Sequence, residues 1–439
     1  MPGVQSRRLK TLVGAGSFVF AGNDTSPVAG ARRAAALARK AEAEKITGLF
    51  TADLLQADPA GLSGTTGTQE PIVALAALSQ VTAQIGLVAT VSTTYHHPYN
   101  LARLIGTLDH VSGGRAAWNA VTSSVGEENF GGGALPDPAT RYARAEEFIE
   151  IVNALFDANR PDAAHRGKSG AIGVDPAKLG RIDYQGQHFQ VQGPLNVPPP
   201  PQGRPVLFQA GQSAEGVTLG ARHAEVVYTS QPTLEEAVAF VAELRRQARG
   251  FGRAANLPLV MNSFHSVIGE SEADVARRLQ EKHEKIDYQL GRIKLADMLG
   301  GGIDLSDLPL DRPLPASLLP EVDSVNRRRG RVEVFRRYAQ RGLTLRELII
   351  QAQETGHWSI AGTPEQLADA LEERFRAGAL DIISLHGLGN PDQEDLLLNG
   401  LLPELRKRSL IDTDYPGGDF RSNLELPKPV GASRLLQAG

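Results

Sequence analysis

Short apolar runs alternate along this chain with longer stretches of helical period, and that alternation limits the possible folds more than any other feature. A parallel strand buried on both faces reads as a continuous apolar run, and the step to the next strand takes a crossover helix. The runs are residues 12–20, 47–52, 85–91, 116–121, 206–210, 226–229, 260–267 and 382–385. Together they predict an α/β chain closed into a (β/α)8 TIM barrel.

The stretches between the runs have helix start signals and one-sided stripes. Phe148, Ile151, Val152, Leu155 and Phe156 recur at i, i+3, i+4, i+7 and i+8, which makes one apolar face. Thr363, Pro364 and Gln366 supply an N-cap, a proline at the first helical position and the capping-box glutamine, and Gly378 offers a stop. Thr233 and Glu236 repeat the box.

Two segments exceed the repeat and are expected as insertions after strands 4 and 7. Residues 160–204 are rich in Gly and Pro and read as an extended loop with a short hairpin around His188, Phe189, Gln190 and Val191. Residues 270–360 mix charged helices with a Gly/Pro-rich loop at 300–320, and an insertion following a barrel strand belongs to the active-site face, so this one is a candidate lid. The whole of 1–439 reads as one barrel domain, with 411–439 as an extended C-terminal arm.

Composition bounds the chemistry. The chain has no cysteine, which removes disulfides, thiolate catalysis and cysteine-ligated metals, so any redox chemistry must use a cofactor. A net charge of −4, from 46 basic and 50 acidic residues spread along the chain, points to no nucleic acid and no membrane partner, and favours a small molecule. Arg7, Arg8 and Lys10 ahead of residues 11–22 imitate a secretory signal, but Gly14 and Gly16 interrupt the apolar stretch and the barrel needs it as a first strand. A cytoplasmic protein is expected.

In a barrel, chemistry gathers where strands end and their loops begin. Asp53 follows the second run, Thr90 ends the third, Asn119, Thr122 and Ser123 end the fourth, and Gln209, Ala210, Gly211, Gln212 and Ser213 follow the fifth. Each alone is also what a cap or a turn requires; their agreement across strands sets them apart. Gly211 lets backbone amides approach an anion and Ser213 adds a hydroxyl at a helix N-terminus, a combination suited to phosphate. Arg141 and Tyr142 can add a cation and a phenol to the same group. His96 and His97 diverge as neighbours and have no carboxylate at ligand spacing, so no metal is expected. His357 and His386 read as lone histidines that pack or face solvent, and Arg327 to Arg331 as a solvated basic face or a receiver of an anionic substrate. No Gly-x-Ser-x-Gly elbow, Walker loop or Rossmann glycine motif occurs.

Several ordered motifs resemble the bacterial luciferase-like FMN-dependent monooxygenases of the nitrilotriacetate, EDTA, dibenzothiophene-sulfone and long-chain alkane group. They are Phe50-Thr51-Ala52-Asp53, Thr93-Thr94-Tyr95, Leu108-Asp109-His110-Val111-Ser112-Gly113-Gly114-Arg115, Trp118-Asn119-Ala120-Val121-Thr122-Ser123, Arg141-Tyr142, Gly193-Pro194-Leu195, Gln209-Ala210-Gly211-Gln212-Ser213 and Ala361-Gly362-Thr363. The resemblance implies a two-component enzyme that takes reduced FMN (FMNH2) from a separate NAD(P)H:flavin reductase and uses O2 to oxygenate a small organic substrate. Asp53, Thr90, Asn119, Thr122 and Ser123 would line the flavin ring and ribityl chain, and Tyr142, Ala210, Gly211 and Ser213 would hold its phosphate. Phe18 and Phe50 would form dry walls on the substrate side. Ser123, the one catalytic candidate, would hydrogen-bond the flavin–oxygen intermediate. A homo-oligomer, dimer or tetramer, is expected. One departure stands out: many members have a Trp-Arg-His cluster after the first strand, and residues 22–33 here contain no histidine or tryptophan. A deazaflavin-dependent oxidoreductase on the same barrel and a non-catalytic ligand-binding barrel remain the alternatives.

Overall fold

The computed structural model describes residues 7–15, 26–57, 69–166, 172–326 and 329–429. Eight parallel strands close a barrel: β1 (Lys10–Gly14), β2 (Gly48–Thr51), β3 (Gly86–Ser92), β4 (Ala116–Val121), β5 (Val206–Ala210), β6 (Val226–Thr229), β7 (Leu259–Ile268) and β8 (Ile382–Leu385). Closure is made by β1, which pairs with β2 on one side and with β8 on the other, Lys10 lying opposite Ile382. All eight apolar runs are therefore strands. The first begins at Lys10 and ends at Gly14, and Phe18 lies outside the described residues. An additional strand, Trp358–Gly362, pairs in parallel with the second half of β7.

Thr363 and Gln366 form the full capping box as expected, while at Thr233 only half of the box forms: Thr233 accepts from the Glu236 amide, and the Glu236 carboxylate pairs with Arg337 and Arg341. The stripe from Phe148 to Phe156 is buried against the sheet. Among the described residues no helix is long and apolar enough to cross a membrane.

Three segments differ from expectation. Residues 160–204 follow the helix Pro138–Ala158, and beside the expected hairpin, in which Tyr184–Gln185 pairs with Gln190–Val191, they form a second antiparallel pair between residues 164–166 and 172–174. Phe189 packs on Phe148 and beneath the Arg144 guanidinium, while Gln202 reaches Asp109 and the Ala116 carbonyl, so the segment runs down the outer wall toward the N-terminal ends of the strands. The tail is not an extended arm over its described part: Phe420, Leu424 and Leu426 fill the N-terminal mouth of the barrel. There the Phe420 ring stacks on Phe208, with centroids 6.3 Å apart, because apolar side chains otherwise lost to water find an open-ended core. Finally, residues 300–320 pack within the insertion itself. Leu305 and Leu314 join Met298, Phe335 and Leu348 in a separate small core of the insertion, and the buried Arg292 guanidinium donates to the Leu305 carbonyl.

Candidate active site

At the C-terminal ends of the strands the barrel opens into a cavity of about 370 Å³. Thr122 and Ser123 line it from the end of β4, Arg141 and Tyr142 from the first turn of the helix Pro138–Ala158, and Ala210, Gly211 and Ser213 from the turn after β5. Tyr228 enters from β6, and Arg329, Gly330, Arg331 and His357 close the far side from the insertion.

The turn after β5 shows why its residues follow in that order. Ser213 N-caps the helix Ala214–His223, its hydroxyl accepting from the Gly216 amide, and donates to the Tyr142 hydroxyl 3.3 Å away. A Cβ at Gly211 would lie 2.5 Å from Gln209 Nε2 and 3.3 Å from Tyr142 Oη, and one at Gly216 would lie 3.0 Å from that same phenol. Only glycines allow two hydroxyls and the helix's free amides to converge, which is an anion cradle. Gln212 ties the turn down: its Oε1 accepts from Thr229 and Ser230, and its Nε2 donates to the Gly330 carbonyl of the insertion.

The remaining sequence-derived residues lie close to this cavity or beyond it. Asn119 and Thr90 are buried side by side near the ends of β4 and β3, Asn119 Nδ2 donating to Thr90 Oγ1 at 3.1 Å, and Asn119 Oδ1 has no hydrogen-bond partner among the described residues. Ser123 donates to Ser92 at 2.7 Å. Asp53 stands half-buried after β2, where burial, helped by nearby Glu70, raises its pKa against the pull of the Leu54 amide. Phe50 faces the barrel interior, 5.5 Å from the Tyr228 ring and 6.3 Å from that of Phe208.

Two sequence readings need correction. Arg329 and Arg331 are not a solvated face: both line the cavity, and Arg331 donates to Ser230 at 3.1 Å. Residues 327 and 328 lie outside the described residues. His357 and His386 are not lone histidines. They stack with His265, whose partner Glu354 is distant in sequence, and no spacing rule could have brought these groups together.

Known proteins share both the sequence and the architecture. The chain matches the luciferase-like monooxygenase family over residues 14–381. It is 38% identical over 398 residues to N-acetyl-S-(2-succino)cysteine monooxygenase of Bacillus subtilis (strain 168), covering 90% of this chain and 89% of the relative. It is 39% identical over 364 residues to nitrilotriacetate monooxygenase component A of Aminobacter aminovorans, covering 82% and 79%. Among solved structures, a riboflavin lyase described with modified FMN and riboflavin superposes with a TM-score of 0.83 at 28% identity, over 97% of each chain. A closed parallel barrel, a cavity at its C-terminal end and a match spanning most of the chain agree with one another: the chain belongs to the luciferase-like monooxygenase family.

Proposed function

We propose that the chain is the oxygenase component of a two-component system, receiving FMNH2 from a separate NAD(P)H:flavin reductase and using O2 to oxygenate a small organic substrate. The observation behind the cofactor assignment is the convergence of Ser213 and Tyr142 on the N-terminus of the helix Ala214–His223, with Gly211 and Gly216 keeping the approach clear. A flavin phosphate fits that cradle. The unpartnered Asn119 Oδ1, buried beside Thr90, is a polar atom that a ring or ribityl group would satisfy.

The bound flavin would supply the electrons that activate O2. The chain's own residues position it: Ser213 and Tyr142 fix the phosphate, Asn119, Thr122 and Ser123 orient the ring end, and Phe50 beside Tyr228 excludes water from the inner wall. Arg331 on the far wall gives the cavity a cation, and two relatives have substrates named for carboxylic acids, so carboxylate-bearing compounds are the class to try first. The name of one relative, a "component A", supports a partner reductase.

Anaerobic titration with FMNH2 and with a reduced deazaflavin, followed by admission of O2, tests the reading. Tight FMNH2 binding and rapid reoxidation are expected, with no oxygen consumption from NADH plus FMN until a flavin reductase is added. Preference for the deazaflavin, or turnover of NADH by the chain alone, would overturn it.

A further inference from the structure

Outside the barrel wall, the helix Pro138–Ala158 packs against the helix Ala214–His223. Each follows one of the paired parallel strands β4 and β5, so the two helices run side by side in the same direction, and their starts supply Tyr142 and Ser213 to the anion cradle. Tyr142, Glu146 and Glu150 recur at intervals of four and therefore share one face of the first helix. At the cavity end of that face Tyr142 meets Ser213, and farther along Glu146 and Glu150 meet His223, the last residue of the second helix.

Three donors converge there. One ligand atom from each of Glu146, Glu150 and His223 lies within 4.8 Å of the other two, and among the described residues no other three histidine, aspartate or glutamate side chains come so close together. The His223 side chain is only 8% exposed, and its Nε2 is a buried atom with no hydrogen-bond partner among the described residues. Glu146 Oε1 stands 3.5 Å from that nitrogen. A hydrogen bond to nitrogen spans about 2.7 to 3.2 Å, whereas two ligands on a tetrahedron with bonds of about 2.1 Å stand about 3.4 Å apart. A proton on Nε2 would serve one carboxylate oxygen at a poor distance; a cation seated between the three donors serves all of them.

Charge and donor chemistry agree with that reading. The Arg222 guanidinium, held over the Phe251 ring at 4.5 Å, donates to Glu146 Oε1 and offsets one of the two carboxylates. A carboxylate has two oxygens, so Glu146 can accept from Arg222 and still bind a second cation. Two like charges one turn apart on a helix repel each other, and a divalent ion between them removes the repulsion. One imidazole nitrogen with two carboxylate oxygens suits a borderline divalent ion of the zinc or cobalt type, whereas magnesium and calcium take oxygen ligands. The carboxylates are half-buried and the imidazole lies beneath them, so an ion enters from the solvent side and water completes its coordination.

We propose that Glu146, Glu150 and His223 bind a divalent cation of the zinc type, which pins the helix Pro138–Ala158 to the helix Ala214–His223 behind the cradle that their first turns form. The site lies outside the cavity and does not rest on the flavin reading. Its donors come from two helices and meet only in the folded chain, so the binding energy of the ion adds to the stability of the fold. Nothing in the spacing of the sequence announces it, because two of the donors share one helix and the third ends the next.

The test uses the full chain without a tag and without flavin, stripped of metal by a chelator, with Zn2+ and Co2+ as probes. Isothermal titration should show a single Zn2+ per chain, Co2+ should give the visible absorption of a nitrogen–oxygen site, and Zn2+ should raise the unfolding temperature. His223→Gln and Glu150→Gln should each weaken Zn2+ binding by at least about a hundredfold, since even partners beyond the ligands are worth about ten- to a hundredfold. Both should also lose the Co2+ band and the thermal shift, with circular dichroism reporting the fold; Glu150→Gln, at a half-buried position, decides alone should His223→Gln not fold. His110→Gln removes an exposed histidine outside the cluster and should change nothing. No uptake of Zn2+ by the unmutated protein, wild-type affinity in either cluster variant, or an equal loss in His110→Gln overturns the site. Every arm is read without flavin, so these outcomes stand apart from the cofactor reading.

Discussion

Ser213 does two things at once, capping a helix and donating to Tyr142, and its replacement separates them. Ser213→Ala should weaken FMNH2 binding by about 1 to 3 kcal/mol, the range for a hydrogen bond to a charged group, as read by fluorescence titration; an unchanged affinity removes the phosphate assignment. Other single residues act far from the site. Asp109 accepts from Gln202 and the Ala116 amide, and Arg115 donates to the Ser79, Thr82 and Ile85 carbonyls, so the family motif from Leu108 to Arg115 braces the N-terminal ends of the strands and does not line the cavity. Acid stability follows from two carboxylates. Glu146, which His223 Nε2 approaches at 3.5 Å and the Arg222 guanidinium hydrogen-bonds against the effect of burial, and Glu354 are both lowered from 4.5 to about 2. A folded pKa below the unfolded one means stability present above about 4.5 and lost as the pH falls toward about 2. Glu354→Gln should therefore flatten the dependence of thermal unfolding on pH across that window, and an unaltered slope would show that the carboxylate is not paired in solution.

The insertion between β7 and β8 is the element whose role the fold most alters. Its Gly/Pro-rich loop is packed into the insertion's own core, and the parts that face the cavity at the C-terminal ends of the strands are Met298, Asn326, Arg329 to Arg331, Thr355 and His357. A latch ties it to the helix Pro138–Ala158 and the loop before it: Arg141 donates to the Asn326 side chain at 3.1 Å and to its carbonyl at 2.9 Å, and Asn326 Nδ2 donates to the Leu135 carbonyl. Asn326→Ala should leave the melting temperature nearly unchanged, release FMN several-fold faster, a change of about 1 kcal/mol, and divert more O2 into peroxide. Release at the wild-type rate would mean that the segment does not act as a lid.

At the scale of the whole molecule, the barrel is sealed at the end opposite the site. The Phe420 ring sits against Phe208, and a Cβ on Gly86 would lie 2.1 Å from it, so β3 begins with the one residue that admits the ring. Beside it, the Arg421 guanidinium pairs with Glu225, and Lys10 pairs with Asp412 and Glu425. Phe420→Ala should lower stability by about 3 to 5 kcal/mol, measured by denaturant unfolding, while leaving FMNH2 affinity intact because the plug and the cavity occupy opposite ends. A loss below about 1 kcal/mol would show that the tail only rests on the barrel.

The sequence alone determined the eight strands, the capped helices and the cluster Thr122, Ser123, Tyr142, Gly211 and Ser213, because apolar periodicity, caps and a glycine-serine turn are local signals. It also placed Asp53, Thr90 and Asn119 at strand ends, for the same reason. It left the tail as an arm, since nothing near Phe420 announces an open barrel mouth some 370 residues earlier in the chain, at Gly48. It left His357 and His386 as lone histidines and Arg331 within a basic face or anion receiver, because their neighbours come from β6, β7 and the insertion. Only the tertiary structure decided those contacts, since burial and electrostatic pairing depend on which distant segments share a space.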